Sequence, residues 1–134
     1  MERLYLFTDG ASRGNPGPAA AGVMIKDREG KVLLEKGQFL GRMTNNEAEY
    51  RALLLGLELA KGLEPETLIC SLDSELVVSQ INGLYRVKKS HLRELLFKVR
   101  QVERNHPKVV YKLIPREKNT AADTLANNVL NRIK

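Results

Sequence analysis

Four of the sixteen Asp and Glu residues in this chain stand where chemistry is done. Asp9 closes the apolar run Tyr5-Leu6-Phe7-Thr8 and opens onto a stretch of Gly, Asn, Pro and Ala. In open α/β sheets, sites form beyond the carboxyl ends of strands. An Asp-Gly hairpin turn is the plain alternative, but a tight hairpin needs a pairing strand at once. Residues 10–18 read instead as a Gly- and Pro-rich loop. Asp73 ends a second apolar run, TLICSL, in the same way. It is either the N-cap of the segment that follows or, if Ser74 takes that role, an available carboxylate.

Glu49 is picked out by helical geometry. Thr44-Asn45-Asn46-Glu47 fits a capping box, so Glu47 is accounted for as its acid and can pair with Arg51. Glu49 lies roughly 200° further round, on the side of Ala52, Leu53, Gly56 and Ala60. A carboxylate on that buried face needs a cation, a hydrogen-bond network or a metal. Asp123 falls one turn into the last helical segment, where the helix dipole favours an acid in any case.

If these four converge, their charges require neutralisation. All-oxygen ligands suit Mg²⁺ or Mn²⁺. The two His residues, His91 and His106, have no ligand spacing to Cys70 or to each other, which argues against zinc. No Ser/His/Asp pattern is present, so metal-activated water is the chemistry that remains.

The elements that must position these acids follow from periodicity. Residues 3–9, 19–27 and 31–39 read as strands, the last two as a hairpin around Asp27-Arg28-Glu29-Gly30. A helix covers 44–62, with Gly62 as its stop. A strand at 67–72, a short helix at 74–83 and an amphipathic helix at 90–104 follow. The amphipathic helix turns Leu92, Leu95, Leu96 and Val99 inward. A strand at 108–114 precedes a last helix at 119–133, capped by Asn119, with Ala122, Leu125, Ala126, Val129 and Ile133 inward. The order β-β-β-α-β-α-α-β-α predicts an α/β mixed sheet with helices on its faces. One domain is expected across 1–134.

Composition bounds the partners. No apolar stretch approaches the ~18–20 residues of a membrane span. The lone Cys70, in an apolar run, reads as a buried thiol of a reducing, cytoplasmic compartment. A monomer is the default, since no long heptad is present. The net charge of +6 is uneven: residues 86–118 carry eleven Lys and Arg against three acids, while residues 1–85 carry a net −3. Such a band is either a solvated helix face or the footprint of a polyanion such as nucleic acid.

FTDGASRGNPG, TNNEAEY, the strand ending in LDSE and the late NTAAD resemble, in order and spacing, the successive motifs of type 1 ribonuclease H. The resemblance runs from near residue 4 to residue 130. It implies the ribonuclease H-like fold, a five-stranded mixed sheet whose first three strands are antiparallel, flanked by helices. It also implies hydrolysis of the RNA strand of an RNA–DNA hybrid, leaving 5′-phosphate and 3′-hydroxyl ends. Asp9, Glu49, Asp73 and Asp123 match the family's four metal-binding carboxylates, which hold two Mg²⁺, with Mn²⁺ as a substitute. Asn15, Asn45 and Asn46 match residues that reach the minor groove and the 2′-hydroxyl. Arg42 and Thr44 match a pocket for a DNA-strand phosphate.

The chain differs from the family pattern in two places. A basic, Trp-rich protrusion is replaced by the short Gly83–Lys89 segment, and the chain has no Trp. The basic band at 86–118 must then supply the grip on substrate, with Arg86, Lys88 and Lys89 its best candidates, and the chain resembles the shorter family members that lack the protrusion. The loop before the last helix often carries a His that aids product release. Here it reads Ile114-Pro115-Arg116-Glu117-Lys118, and Arg116 is either an electrostatic substitute or a surface arginine. Two other readings stay open: a nuclease that also cuts double-stranded RNA, and a catalytically silent nucleic-acid-binding module.

Overall fold

A computed structural model describes residues 2–133. Its elements are β1 (Arg3–Ser12), β2 (Gly17–Lys26), β3 (Val32–Met43), α1 (Asn45–Lys61), β4 (Thr67–Leu72), α2 (Glu75–Ile81), α3 (Ser90–Glu103), β5 (Lys108–Leu113) and α4 (Thr120–Asn131). A single turn of 3₁₀ helix, Arg116–Lys118, leads into α4. The five strands form one sheet in the order β3-β2-β1-β4-β5. β1, β2 and β3 pair antiparallel, and β4 and β5 run parallel to β1 and to each other. The predicted element order and mixed sheet are both present.

Several boundaries differ from the sequence reading, among them the start of β2 at Gly17 and the end of β3 at Met43, and that of β1 matters for the site. Residues 10–12 are strand, not loop: β1 runs on through Asp9 to Ser12, paired with β2 as far as Ala19. The β1–β4 pairing nevertheless stops at Phe7–Ser71. Asp9 therefore lies within a strand but past the end of its parallel pairing, where a cleft opens beside β1. At the other end of the chain, α4 stops at Asn131, so Ile133 is 41% exposed and Leu130 takes the inward place instead.

The main core fills one face of the sheet, where Leu4, Leu6, Leu68, Cys70 and Leu72 meet Tyr50, Leu53 and Leu57 of α1 and Leu92, Leu95 and Val99 of α3. Cys70 is buried as predicted, and burial pushes its thiol well above the usual range. α4 covers the other face over β1, β2 and β3, through a small cluster of Ala20, Ala126 and Leu130.

Two glycines set how closely the helices approach the sheet beside Asp9. A Cβ at Gly10 would stand 2.2 Å from the Ala48 carbonyl of α1. Gly22, paired with Asp9, faces α4, and a Cβ there would stand 1.9 Å from the Ala122 carbonyl oxygen. Neighbouring strand positions point to opposite faces. The two glycines thus draw α1 and α4 against the sheet from either side at the level of Asp9. Gly22→Ala is expected to push α4 away and destabilise the fold by about 3 kcal/mol, the upper range for overpacking. Urea denaturation checks this, and an unchanged midpoint would mean that α4 has room to move.

Candidate active site

Each acid is delivered by a local device. Thr44 caps α1 with both halves of the predicted capping box: its Oγ1 accepts from Glu47 N, and Glu47 Oε1 accepts from Thr44 N. That occupies Glu47, whose carboxyl is held below the usual range chiefly by the Thr44 backbone hydrogen bond. No Glu47–Arg51 ion pair forms among the described residues. Glu49, on the buried face as predicted, is 7% exposed. Its Oε1 accepts the Gly10 N–H at 2.8 Å, a bond that the α1–β1 close approach permits.

Asp9 is 6% exposed. Asp73 follows directly on β4, and Ser74, not Asp73, caps α2 by accepting from Val77 N. The cap alternative for Asp73 is thereby removed. One carboxylate oxygen each from Asp9, Glu49 and Asp73 lie within 4.8 Å of one another. Asp123 is outside that trio but lines the same cleft of ≈ 430 Å³. Asn127 Nδ2 donates to its Oδ1 at 3.1 Å.

The electrostatics of this cluster are unfavourable as they stand. Burial raises the Asp9 carboxyl far above the carboxylate range, and Glu49, Asp73 and Asp123 add to the shift. Burial also raises Glu49, against the opposing pull of the adjacent Asp9 and of the Gly10 N–H bond. No Lys or Arg forms an ion pair with any of the four acids among the described residues. Arg116 lines the cleft and its charge lowers Glu49, without reaching ion-pair distance.

The residues fit a hard divalent cation. Glu49 Oε2 is buried with no hydrogen-bond partner, which is expensive unless something charged meets it. The donors are all oxygens, gathered within the span that one or two such ions bridge.

Other predicted residues fall around this cleft. Asn45 and Asn46 line it beside the acids. Asn15 Oδ1 accepts Asn45 N at 3.0 Å, and Asn45 Oδ1 accepts Ser12 N at 3.1 Å. The β1–β2 turn is thus clasped to the start of α1, and the NH₂ end of each amide has no protein partner among the described residues. Arg42 is exposed at the end of β3, next to the Thr44 cap. Arg86, Lys88 and Lys89 line a separate groove of ≈ 520 Å³ with Leu84 and Tyr85, and Asn46 belongs to both hollows. His106 is structural: it is buried, with Nε2 against the Leu57 carbonyl at 2.9 Å.

Two features were missed in the sequence. Leu84 and Tyr85 present apolar surface within the basic groove, a pairing visible only as GLYRVKK once the segment is known to be exposed. Asn119 does not cap α4 with its side chain. That side chain turns to β1 and Asp73 instead.

Comparison with known proteins places the fold in a known family. Residues 7–129 match the family described as reverse transcriptase-like. The chain is 37% identical to the crystal structure of RNase H1 from the halophilic archaeon Halobacterium salinarum, with a TM-score of 0.94 over 96% of this chain and 98% of that one. It is 41% identical to LC11-RNase H1 in complex with an RNA/DNA hybrid, with a TM-score of 0.88 over 93% and 94% of the two chains. A bifunctional protein of Mycobacterium tuberculosis is 39% identical over 96% of this chain. The chain spans about a third of that relative's length, 35%.

Proposed function

The chain belongs to the reverse transcriptase-like family, in the branch of type 1 ribonuclease H, and on that premise we propose that it cuts the RNA strand of RNA–DNA hybrids by metal-dependent hydrolysis. The observation that carries this reading is the carboxylate trio of Asp9, Glu49 and Asp73, the first two buried, together with the buried Glu49 Oε2 that has no hydrogen-bond partner. Asp9, Glu49, Asp73 and Asp123 are the residues that would hold two Mg²⁺, or Mn²⁺ in its place. When bound, the ions supply an activated water and neutralise the departing 3′ oxygen, leaving 5′-phosphate and 3′-hydroxyl ends.

The protein's own groups do the rest. The Gly10 N–H fixes the Glu49 carboxylate, so its second oxygen is presented without a search through rotamers. Asn15, Asn45 and Asn46 offer amide donors at the α1 start to the minor groove, where a 2′-hydroxyl marks the RNA strand. Arg42 and the N-terminal end of α1 favour a phosphate of the DNA strand. The groove of Arg86, Lys88 and Lys89 receives the backbone beyond it, its charge supplying affinity and its Tyr85 a surface to pack on. Arg116, at the cleft mouth, draws the cleaved phosphate outward in place of the family's histidine. That the comparison structure of LC11-RNase H1 is a complex with an RNA/DNA hybrid supports the choice of substrate.

The test uses end-labelled RNA–DNA hybrid, duplex RNA and duplex DNA with Mg²⁺ or EDTA. Mg²⁺-dependent cutting of the hybrid alone is expected. Equal cutting of duplex RNA would broaden the substrate, and tight binding with no cleavage in Mg²⁺ or Mn²⁺ would make the protein a binding module.

A further inference from the structure

Asn119 is 1% exposed and sits where α4 begins. Its position calls for a side-chain cap, yet the side chain makes no cap bond. Instead its single amide nitrogen donates twice, to the Thr8 carbonyl at 2.9 Å and to Asp73 Oδ2 at 3.0 Å. Thr8 immediately precedes Asp9, and Asn119 is four residues before Asp123, whose N–H bonds the Asn119 carbonyl at 3.2 Å. One residue therefore ties together the backbone at Asp9, the carboxylate of Asp73 and the helix that carries Asp123.

A stabilising role alone does not account for this asparagine. Its Oδ1 is buried with no partner, as is the neighbouring Thr8 Oγ1. An amide kept only for stability would not leave its acceptor end unmet in the interior. What the arrangement secures is direction. A carboxylate held through Oδ2 no longer turns freely, and its other oxygen is the one left uncommitted. Resting on the hydrolase reading above, we infer that Asn119 is a positioning residue: it orients Asp73, and through α4 Asp123, for the divalent cation without touching metal or substrate.

Outer partners of metal ligands typically contribute about 10–100-fold to metal affinity or activity. Asn119→Ala should therefore weaken Mg²⁺ binding, read by calorimetry without substrate, by about 10-fold or more. The half-saturating Mg²⁺ for hybrid cleavage should rise in step, kcat should recover in part at high Mg²⁺, and KM for the hybrid should hold. Asn119→Ser, which fills more of the space, should show the same order of loss. A purely structural asparagine would lower the melting temperature and leave Mg²⁺ affinity alone, and that outcome in either folded variant overturns the inference. In the intact protein, the Asn119 side-chain amide resonances should shift on adding Mg²⁺, and an unmoved signal at saturating metal also overturns it. The calorimetry needs no cleavage, so a wild-type protein that binds Mg²⁺ yet cuts no hybrid would sink the hydrolase reading and leave this one standing.

Discussion

Asp9→Asn is expected to lower hybrid cleavage by roughly 10³-fold, about 4 kcal/mol of transition-state stabilisation, while making the metal-free protein more stable. The two effects have one cause. Asp9 is 6% exposed and faces the carboxylates of Glu49 and Asp73, so its ionised form is costly in the absence of a cation. An amide has the same shape, carries no charge, and donates to Glu49. In EDTA near pH 8 the melting temperature should rise by about 5 °C, the equivalent of 1–2 kcal/mol for a domain of this size. The variant should also lose the rise in melting temperature that Mg²⁺ gives the wild type. A lower melting temperature in EDTA would mean that Asp9 is held for the fold and not for a ligand, and retained cleavage would remove it from the catalytic set.

How much of this was legible in the sequence depends on whether a signal is local. Glu49 was found because a helix has a period: once Thr44 and Glu47 are assigned to the cap, Glu49 must point inward, and it does. The Ser74 cap and the inward face of α3 follow from the same kind of local rule. Asp9 reads as the end of a strand, whereas it lies inside β1 and past the end of only its parallel pairing. Residues 10–12 look like loop, with Gly10 at their head, yet they continue β1 because β2 pairs with them. Gly10 itself is glycine so that α1 can approach, a reason that lies 38 residues away in Ala48. Asn119 shows the limit most clearly. Asn before a helix reads as a cap from local preference, and its true partners, Thr8 and Asp73, are distant in the chain. Ile133 was assigned inward by extending the helical period past Asn131, where α4 ends.

The fold itself should report the ionisation of this site. Asp9 and Glu49 have folded pKa values above those of an unfolded chain: Asp9 is pushed up to about 10 by burial and by Glu49 and Asp73, and Glu49 to about 7 by burial and by the charge of Asp73. Between pH ~4, where an unfolded carboxyl ionises, and those raised values, the folded protein holds more protons than the unfolded one. Stability of the metal-free protein therefore falls as pH rises through that window. Glu47 acts in the opposite sense, because its lowered carboxyl loses its contribution only as pH falls into the acid range. Cys70, Tyr50 and Tyr111 are raised as well, and act only in alkaline solution. From pH 5 to 8 the buried pair of acids should thus dominate, and urea midpoints in EDTA should decline across it. Mg²⁺ must reverse the trend, because it binds carboxylates and competes with the same protons. At about 100 times its dissociation constant it adds about 2.7 kcal/mol, and that gain should be largest at pH 8 and small at pH 5. A flat stability profile in EDTA, or a Mg²⁺ gain equal at both pH values, would show that Asp9 and Glu49 do not share a buried, cation-seeking site.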